Sequence, residues 1–209
     1  NVLGSRLRLK ASFFWIWGRE SRAIEAGARE GTSSSFSLEY PFWSLARHWG
    51  AYADFGHFDG VVRRFHGSEL YPVSLGNSPS VPWVYHQKTI NSYASVTRSF
   101  PTASVIQRLS LGHELALSRP TFKAVFPYAE GSREREQFAS RVFPRSERIS
   151  DVFLGYELFT PTFRTLRDIN TYDFREDTRV GPWLWLKAGR SSSVVGSEQG
   201  FPLLQATFD

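Results

Sequence analysis

The sequence has no cysteine and no methionine among its 209 residues. The lack of cysteine excludes disulfides and thiolate metal sites. It is compatible with the periplasm or the outer membrane as well as with the cytosol. The chain starts at Asn1, without an initiating methionine and without a signal peptide. We therefore expect it to be part of a longer polypeptide.

Long apolar runs are also missing, and so are clusters of basic residues. The most apolar stretch, "ASFFWIWG" at 11–18, falls far short of the ~18–20 residues of a membrane-spanning helix. The formal net charge is +5, but the arginines are scattered along the chain without a basic run, which is not typical of a nucleic-acid-binding surface. We therefore expect no nucleic-acid partner and assign these charges to loops or to contacts with lipopolysaccharide.

Aromatic residues and period-two alternation are abundant instead. Aromatic side chains make up 16 % of the chain, and they favour strands. The stretch "VIQRLSLGHELAL" at 105–117 alternates apolar residues with small or charged ones, as a strand with two unlike faces does. The same pattern predicts eight or nine long strands, at 5–17, 21–31, 35–44, 48–58, 88–100, 105–117, 149–159, 178–189 and 200–208.

Three connectors separate these strands. Proline, serine and glycine mark 59–83 as a loop, within which "VVRRF" at 61–65 could form a short strand. The second connector, 118–148, is expected to contain one or two helical turns, and 164–177 reads as a charged loop. For the segment 21–31 a helix is the alternative to a strand. With the strands counted as above, the connectors 59–83 and 118–148 fall at the end of the sheet where the chain starts.

Strand length favours a membrane barrel over a soluble sandwich. Strands of soluble proteins usually have about 5–6 residues, whereas strands that cross an outer membrane need about 9–11. Charged residues of one parity would then face a water-filled lumen: Glu39, Asp54, Arg108, Glu114, Asp151, Glu157 and Lys187. Aromatics near strand ends would form the interface girdles: Trp15, Trp17, Phe42, Trp43, Phe58, Phe100 and Phe159. The predicted fold class is an all-β, antiparallel transmembrane β-barrel, with a soluble β-sandwich as the alternative.

Several short motifs, in order, resemble the BamA/TamA-type outer-membrane assembly barrels, the bacterial surface antigen family. "NVLGSRLRL" resembles the first strand of these barrels, and "SFSLEYPFWSLARHWGAYADF" resembles their second hairpin. "SYASVTRSF" with "RLSLGHEL" resembles their middle strands, and "TYDFREDTRVGP" resembles a loop-to-strand joint of some branches. The Val-Arg-Gly-aromatic motif of the family is missing, because "VVRRF" has Arg in place of Gly, and so is the final strand with a terminal aromatic residue.

The resemblance implies that residues 1–209 are the N-terminal portion of one outer-membrane barrel domain, partial and with about eight or nine strands. POTRA repeats are expected upstream. The implied function is insertion or translocation of proteins or lipids at the bacterial outer membrane. Its expected partners are outer-membrane lipids and client outer-membrane proteins, which would pair with the first strand, around Val2 to Trp17. The alternatives are a passive porin-like barrel and a soluble β-sandwich binding module.

The sequence offers no catalytic, cofactor-binding or metal-binding residues, so we expect a protein that is not an enzyme and has no cofactor. The histidines, His48, His57, His66, His86 and His113, show no metal-ligand spacing. The acidic residues of 164–177, Asp168, Asp173, Glu176 and Asp177, lack the spacing of a calcium loop. Glu114 and Glu157 could form a hydrolytic carboxylate pair only if the fold brought them together. No nucleophile elbow or phosphate-binding loop occurs.

Overall fold

The computed structural model describes residues 6–18, 29–67, 69–74, 80–122, 128–167 and 175–209. Most of these residues are in β-strands, with one α-helix and one short 3-10 turn at Ser193–Val195. In chain order the elements are β1 (Arg8–Trp17), β2 (Arg29–Tyr40), β3 (Trp49–Arg63), β4 (Phe65–His66), β5 (Glu69–Leu70), β6 (Pro72–Val73), β7 (Val81–Pro82), β8 (Val84–Pro101), β9 (Ile106–Thr121), α1 (Arg133–Arg141), β10 (Glu147–Phe159), β11 (Phe163–Arg167), β12 (Arg175–Arg179), β13 (Trp183–Ser191) and β14 (Phe201–Phe208).

Eight long strands form a single antiparallel sheet in the order β1-β2-β3-β8-β9-β10-β13-β14. Each strand pairs with the next long strand along the chain, so the sheet is a continuous meander. The prediction of an all-β, antiparallel fold is confirmed. The sheet is open, because β1 and β14 are its two edges among the described residues and do not pair with each other.

At the beginning of the sheet the structure has one strand where the sequence predicted two. Two strands were expected, at 21–31 and 35–44, but β2 runs unbroken from Arg29 to Tyr40. The sequence did not predict this strand as one unit, because residues 32–35 are threonine and serine and show no alternation of apolar and polar side chains. The strand ends at Tyr40 because the next residue, Pro41, has no N–H to donate the next hydrogen bond of the ladder. Residues 19–28, where the helix was the alternative, lie outside the described part of the chain.

This correction reverses the predicted position of the long connectors. With one strand in place of two, β3 and β9 both run away from the end of the sheet where β1 begins. The described residues of the segments 64–83 and 122–146 therefore lie at the opposite end, which we call the far end. The short turns 41–48 and 102–105 lie with the start of β1, at the near end. The connection 160–182, also at the near end, is longer and includes the hairpin β11–β12, where the sequence predicted a charged loop.

A small hydrophobic core lies at the far end and is formed by the two long connectors together with the first residue of β8. Val73, Val81, Val84 and Phe138 are buried, and Phe138 and Val81 are fully inaccessible. Phe138 lies on α1, in the region predicted to contain helical turns. The Ser132 hydroxyl caps this helix by accepting a hydrogen bond from the Arg135 N–H at 3.3 Å. We call the far-end core and the described connector residues that form it, with α1, the cap.

No helix in the described residues is long and apolar enough to cross a membrane.

Candidate functional site

The register of the main sheet separates two faces of unlike chemistry. Adjacent strands place Leu38, Ala53 and Ala94 in one row and Ser37, Asp54 and Tyr93 in the next. All the charged residues predicted to share a face do so, on what we call the polar face: Glu39, Asp54, Arg108, Glu114, Asp151, Glu157 and Lys187. The other side is the apolar face.

The apolar face exposes its large side chains. Leu111 in the middle of β9 is 58 % exposed, and Leu154 beside it on β10 is 55 % exposed. The exposed hydrophobic residues of this face span the sheet from β1 to β14: Leu9, Phe13, Trp15, Trp17, Phe36, Trp49, Phe55, Val96, Phe100, Leu109, Leu111, Val152, Leu154, Leu186, Leu204 and Phe208. No second sheet covers them among the described residues. A contiguous apolar surface of this extent marks a contact with another molecule or with lipid.

The apolar band is slanted relative to the strand register. One row of register partners is apolar at β1 and charged from β3 onward: Trp15, Thr32, Asp59, Lys88 and Arg119. Another row, nearer the near end, is apolar through to β14: Ala51, Val96, Leu111, Leu154, Ala188 and Leu204. The band thus moves toward the near end from β1 to β14. A band perpendicular to a barrel axis has this slant, because barrel strands tilt by about 35–45°.

The polar face carries ion pairs that join different strands, one between the neighbours β9 and β10 and one that crosses β10 from β13 to β9. Lys187 Nζ lies 2.6 Å from Glu114 Oε1, and only 7 % of the lysine side chain is exposed. Arg108 Nη1 lies 3.1 Å from Glu157 Oε2. The Trp183 indole N–H donates to the other oxygen of Glu157 at 2.8 Å. These contacts neutralise charges on a face that is partly shielded from water.

Glu114 and Glu157 do not form a carboxylate pair. Both lie on the polar face, but Glu114 is opposite Asp151 and Glu157 is opposite Arg108. At a rise of about 3.3 Å per residue, Glu157 lies roughly 20 Å along β10 from Asp151. Because each glutamate is neutralised by its own cation, the arrangement does not resemble a pair of hydrolytic carboxylates.

The histidines are dispersed over the main sheet, a turn and the short strand β4. His86 Nε2 lies 3.0 Å from Asp59 Oδ1, His113 Nε2 lies 2.8 Å from Ser150 Oγ, and His48 Nδ1 lies 3.3 Å from the Ser99 carbonyl. In the described ranges, no three His, Asp or Glu residues are arranged to bind a metal.

The acidic cluster predicted at 164–177 falls only in part on described residues. Glu176 and Asp177 belong to β12. Asp177 accepts a hydrogen bond from the Thr165 hydroxyl on β11 at 2.7 Å, so it supports the hairpin. Asp168 and Asp173 lie outside the described residues.

The predicted aromatic girdle is wrong in part. Trp15, Trp17 and Phe100 are exposed on the apolar face, as expected. Phe58 and Phe159 have the opposite parity and lie on the polar face, where Phe159 is buried. Position near a strand end did not decide the face, which depends on the parity of each residue in the register. The ring of Phe42, also predicted for the girdle, packs against Gly50 and the guanidinium of Arg108.

The first strand is a free edge. β1 pairs with β2 from Arg8–Glu39 to Trp17–Arg29, with an irregularity between Ile16 and Trp17. Its other side has no strand partner among the described residues. An edge strand presents unpaired N–H and C=O groups, which are a template for another strand. Residues 1–5, part of the segment predicted to bind clients, lie outside the described residues.

Comparison with known proteins finds no matching family model, no matching curated protein and no matching solved structure.

Proposed function

We propose that this chain is the N-terminal part of an outer-membrane β-barrel of the BamA/TamA type, which inserts or translocates proteins or lipids at the bacterial outer membrane. The observation that carries the proposal is the exposed apolar band on one face of an eight-stranded meander, opposite a face with neutralised charges. In a bilayer the band would contact acyl chains and the polar face would line a lumen. Further strands beyond β14 would complete the closure that lipid requires.

The lengths of the connections support an orientation. Outer-membrane barrels have short periplasmic turns and longer extracellular loops. Two of the three connections at the near end, 41–48 and 102–105, are short, and the third, 160–182, is long and contains the hairpin β11–β12. The far end has the cap, to which both of its long connectors contribute. The near end would then face the periplasm, where the resemblance places the POTRA repeats that precede β1. The cap would face the exterior of the cell.

The client-binding element would be β1. In this proposal the barrel opens between its first and last strands, and the terminal strand of a client adds to the exposed edge of β1 by β-augmentation. The backbone hydrogen bonds of the edge give affinity without requiring a particular client sequence. This mode of binding needs no cofactor, metal or catalytic residue.

Disulfide capture tests this role, because this part of the chain contains no cysteine. Single substitutions Ala11→Cys and Ser12→Cys would be placed on β1 of the full-length protein in its native membrane, together with one cysteine in the last strand of a nascent barrel client. We expect register-dependent cross-links at β1. The control is Leu111→Cys on β9, whose two sides are already paired with β8 and β10 and which should capture nothing. Membrane insertion without capture at β1 would reject the assembly function and leave a passive barrel.

A further inference from the structure

A basic and aromatic pocket lies at the near end of the apolar face. It has a volume of about 430 Å³ and opens between the turn 41–48 and the adjoining ends of β2, β3 and β8. Its lining consists of Tyr40, Trp43, Ser44, Ala46, Arg47, His48, Trp49 and Arg98. No aspartate or glutamate is among these residues, so the charge of the pocket has one sign.

Aromatic rings hold the arginines of this pocket. The guanidinium carbon of Arg47 lies 4.1 Å from the centre of the Trp43 ring. Arg6, which is not part of the lining, stacks on the same ring at 3.3 Å. Arg98 stacks on Trp49 at 4.8 Å. Stacking orients a guanidinium while leaving its N–H edge available for an anion. In the described part of the chain, none of these three arginines forms an ion pair with a carboxylate or donates a side-chain hydrogen bond.

The turn that carries Arg47 is tied to the sheet. The Arg47 N–H donates to the Ser44 carbonyl at 3.1 Å, and the Ser99 N–H on β8 donates to the His48 carbonyl at 2.7 Å. The His48 ring also contacts the Ser99 carbonyl. These hydrogen bonds fix the turn against β8, so the pocket is formed before a ligand arrives, which lowers the entropy cost of binding.

The pocket adjoins the apolar band directly. Tyr40 and Trp49 are the band's last side chains toward the near end on β2 and β3, and on β8 Phe100 lies one row beyond Arg98. The next rows inward hold Leu38, Ala51 and Val96. Aromatic side chains and arginine next to an apolar band are typical of the membrane–water interface. The far end of the same face carries charges of both signs instead, since Asp59 lies opposite Lys88 there.

We propose that this pocket binds the phosphate headgroup of an anionic glycerophospholipid, with the acyl chains of that lipid lying along Leu38, Ala51 and Val96. Arginine forms paired, charge-assisted hydrogen bonds with phosphate oxygens. The inference rests on the proposed membrane location of the apolar face. It adds a specific lipid site that the assembly function does not require.

The test is lipid retention by the purified full-length protein. The protein would be reconstituted into nanodiscs with equal amounts of phosphatidylglycerol and phosphatidylcholine of identical acyl chains, then released into mild detergent. Native mass spectrometry would count the lipids that remain bound. We expect phosphatidylglycerol to be retained over phosphatidylcholine by about tenfold or more, because basic groups near a membrane favour anionic lipids.

Two double variants isolate the pocket from overall charge. Arg47→Gln with Arg98→Gln should abolish the preference. Arg64→Gln with Arg190→Gln is the matched control, because it removes the same net charge from positions outside the pocket. Arg64 also stacks on aromatic rings, those of Tyr71 and Trp83. The control should keep the preference of the unmodified protein.

The outcomes separate this inference from the proposed function. A protein that enters nanodiscs but retains both lipids equally, or loses the preference in both double variants, would overturn only the lipid site. A protein that does not enter nanodiscs would overturn both proposals. Excess glycerol phosphate would form a third arm: if the water-soluble anion displaced the lipid at comparable concentration, the acyl chains would contribute nothing, and a free phosphate site would replace the lipid site.

Discussion

At the scale of single residues, the packing of the polar face depends on pairing a large ring with small neighbours. Phe153 is only 3 % exposed although it lies among polar residues. Its register partners are Gly112 on β9 and Gly189 on β13. Tyr93 packs on the ring with a centroid distance of 5.6 Å, and Lys187 Nζ lies 4.3 Å from the centroid. The ring occupies the space that a side chain at Gly112 would need, and a Cβ atom at Gly189 would lie 3.0 Å from both the Phe153 Cβ and the Val152 carbonyl oxygen.

Gly112→Ala should therefore destabilise the sheet. A Cβ atom at Gly112 would lie 2.3 Å from the Phe153 ring and 2.8 Å from the Ala94 carbonyl oxygen. Because one of these obstacles is backbone, relief requires the strands to shift, and we expect a loss of about 1–3 kcal/mol in the free energy of unfolding. Urea unfolding followed by tryptophan fluorescence would measure it. Gly56→Ala is the control, since its Cβ would meet nothing within 4 Å; equal effects at the two sites would refute this account.

At the scale of elements, the strands with clear alternation could be predicted and the others could not. β9 and β10 were found close to their bounds, because apolar and charged residues alternate along them. The start of β2 was missed because serines fill both parities, and β12 was missed because "REDTR" has no apolar residue. The faces of the charged residues followed from parity alone.

The contacts between side chains of the candidate site could not be predicted from the sequence. The pairs Arg108–Glu157 and Lys187–Glu114 depend on the register between strands that are distant in the chain. The pocket at the near end needs Arg98 of β8 beside Arg47 of an earlier turn. The cap likewise joins Val73 and Val81 to Phe138 across a long stretch of sequence. Periodicity assigns a residue to a face but does not identify its neighbour there.

The cap should unfold independently of the main sheet. Phe138 is fully buried, and Phe122 and Phe143 pack against it. Phe138→Ala would leave a cavity and lower the stability of the cap by about 3–5 kcal/mol. We expect a cluster this small to lose its order when it loses that much stability. Limited trypsin digestion should then cut at the arginines of α1, while the eight-stranded sheet stays protected. Ser140→Ala on the exposed side of the helix should digest like the unmodified protein. Loss of protection throughout the sheet in Phe138→Ala would contradict the independence of the cap.

At the scale of the whole molecule, the burial of the sheet is inverted relative to a soluble domain. The largest apolar side chains on the apolar face are exposed, whereas Phe153, Phe159 and Lys187 on the polar face are buried. The buried hydrophobic cluster lies mainly in the cap at the far end, and it reaches the main sheet at Val84, the first residue of β8. The proposed membrane location would account for this arrangement, because hydrocarbon provides the apolar contact that water does not.

The substitution Leu111→Arg tests whether the apolar face contacts lipid or water. Leu111 lies in the middle of the apolar band, so in a bilayer the substitution should cost about 2–4 kcal/mol of unfolding free energy. In water the same exposed position would tolerate arginine with a change of about 0.5 kcal/mol or less. Guanidinium unfolding in phospholipid bilayers, followed by tryptophan fluorescence, would measure the difference. Ala116→Arg on the same strand is the control, because Ala116 is exposed on the polar face and arginine there would point into the lumen. Equal stability of Leu111→Arg and the unmodified protein, together with monodispersity in detergent-free buffer, would refute the membrane assignment.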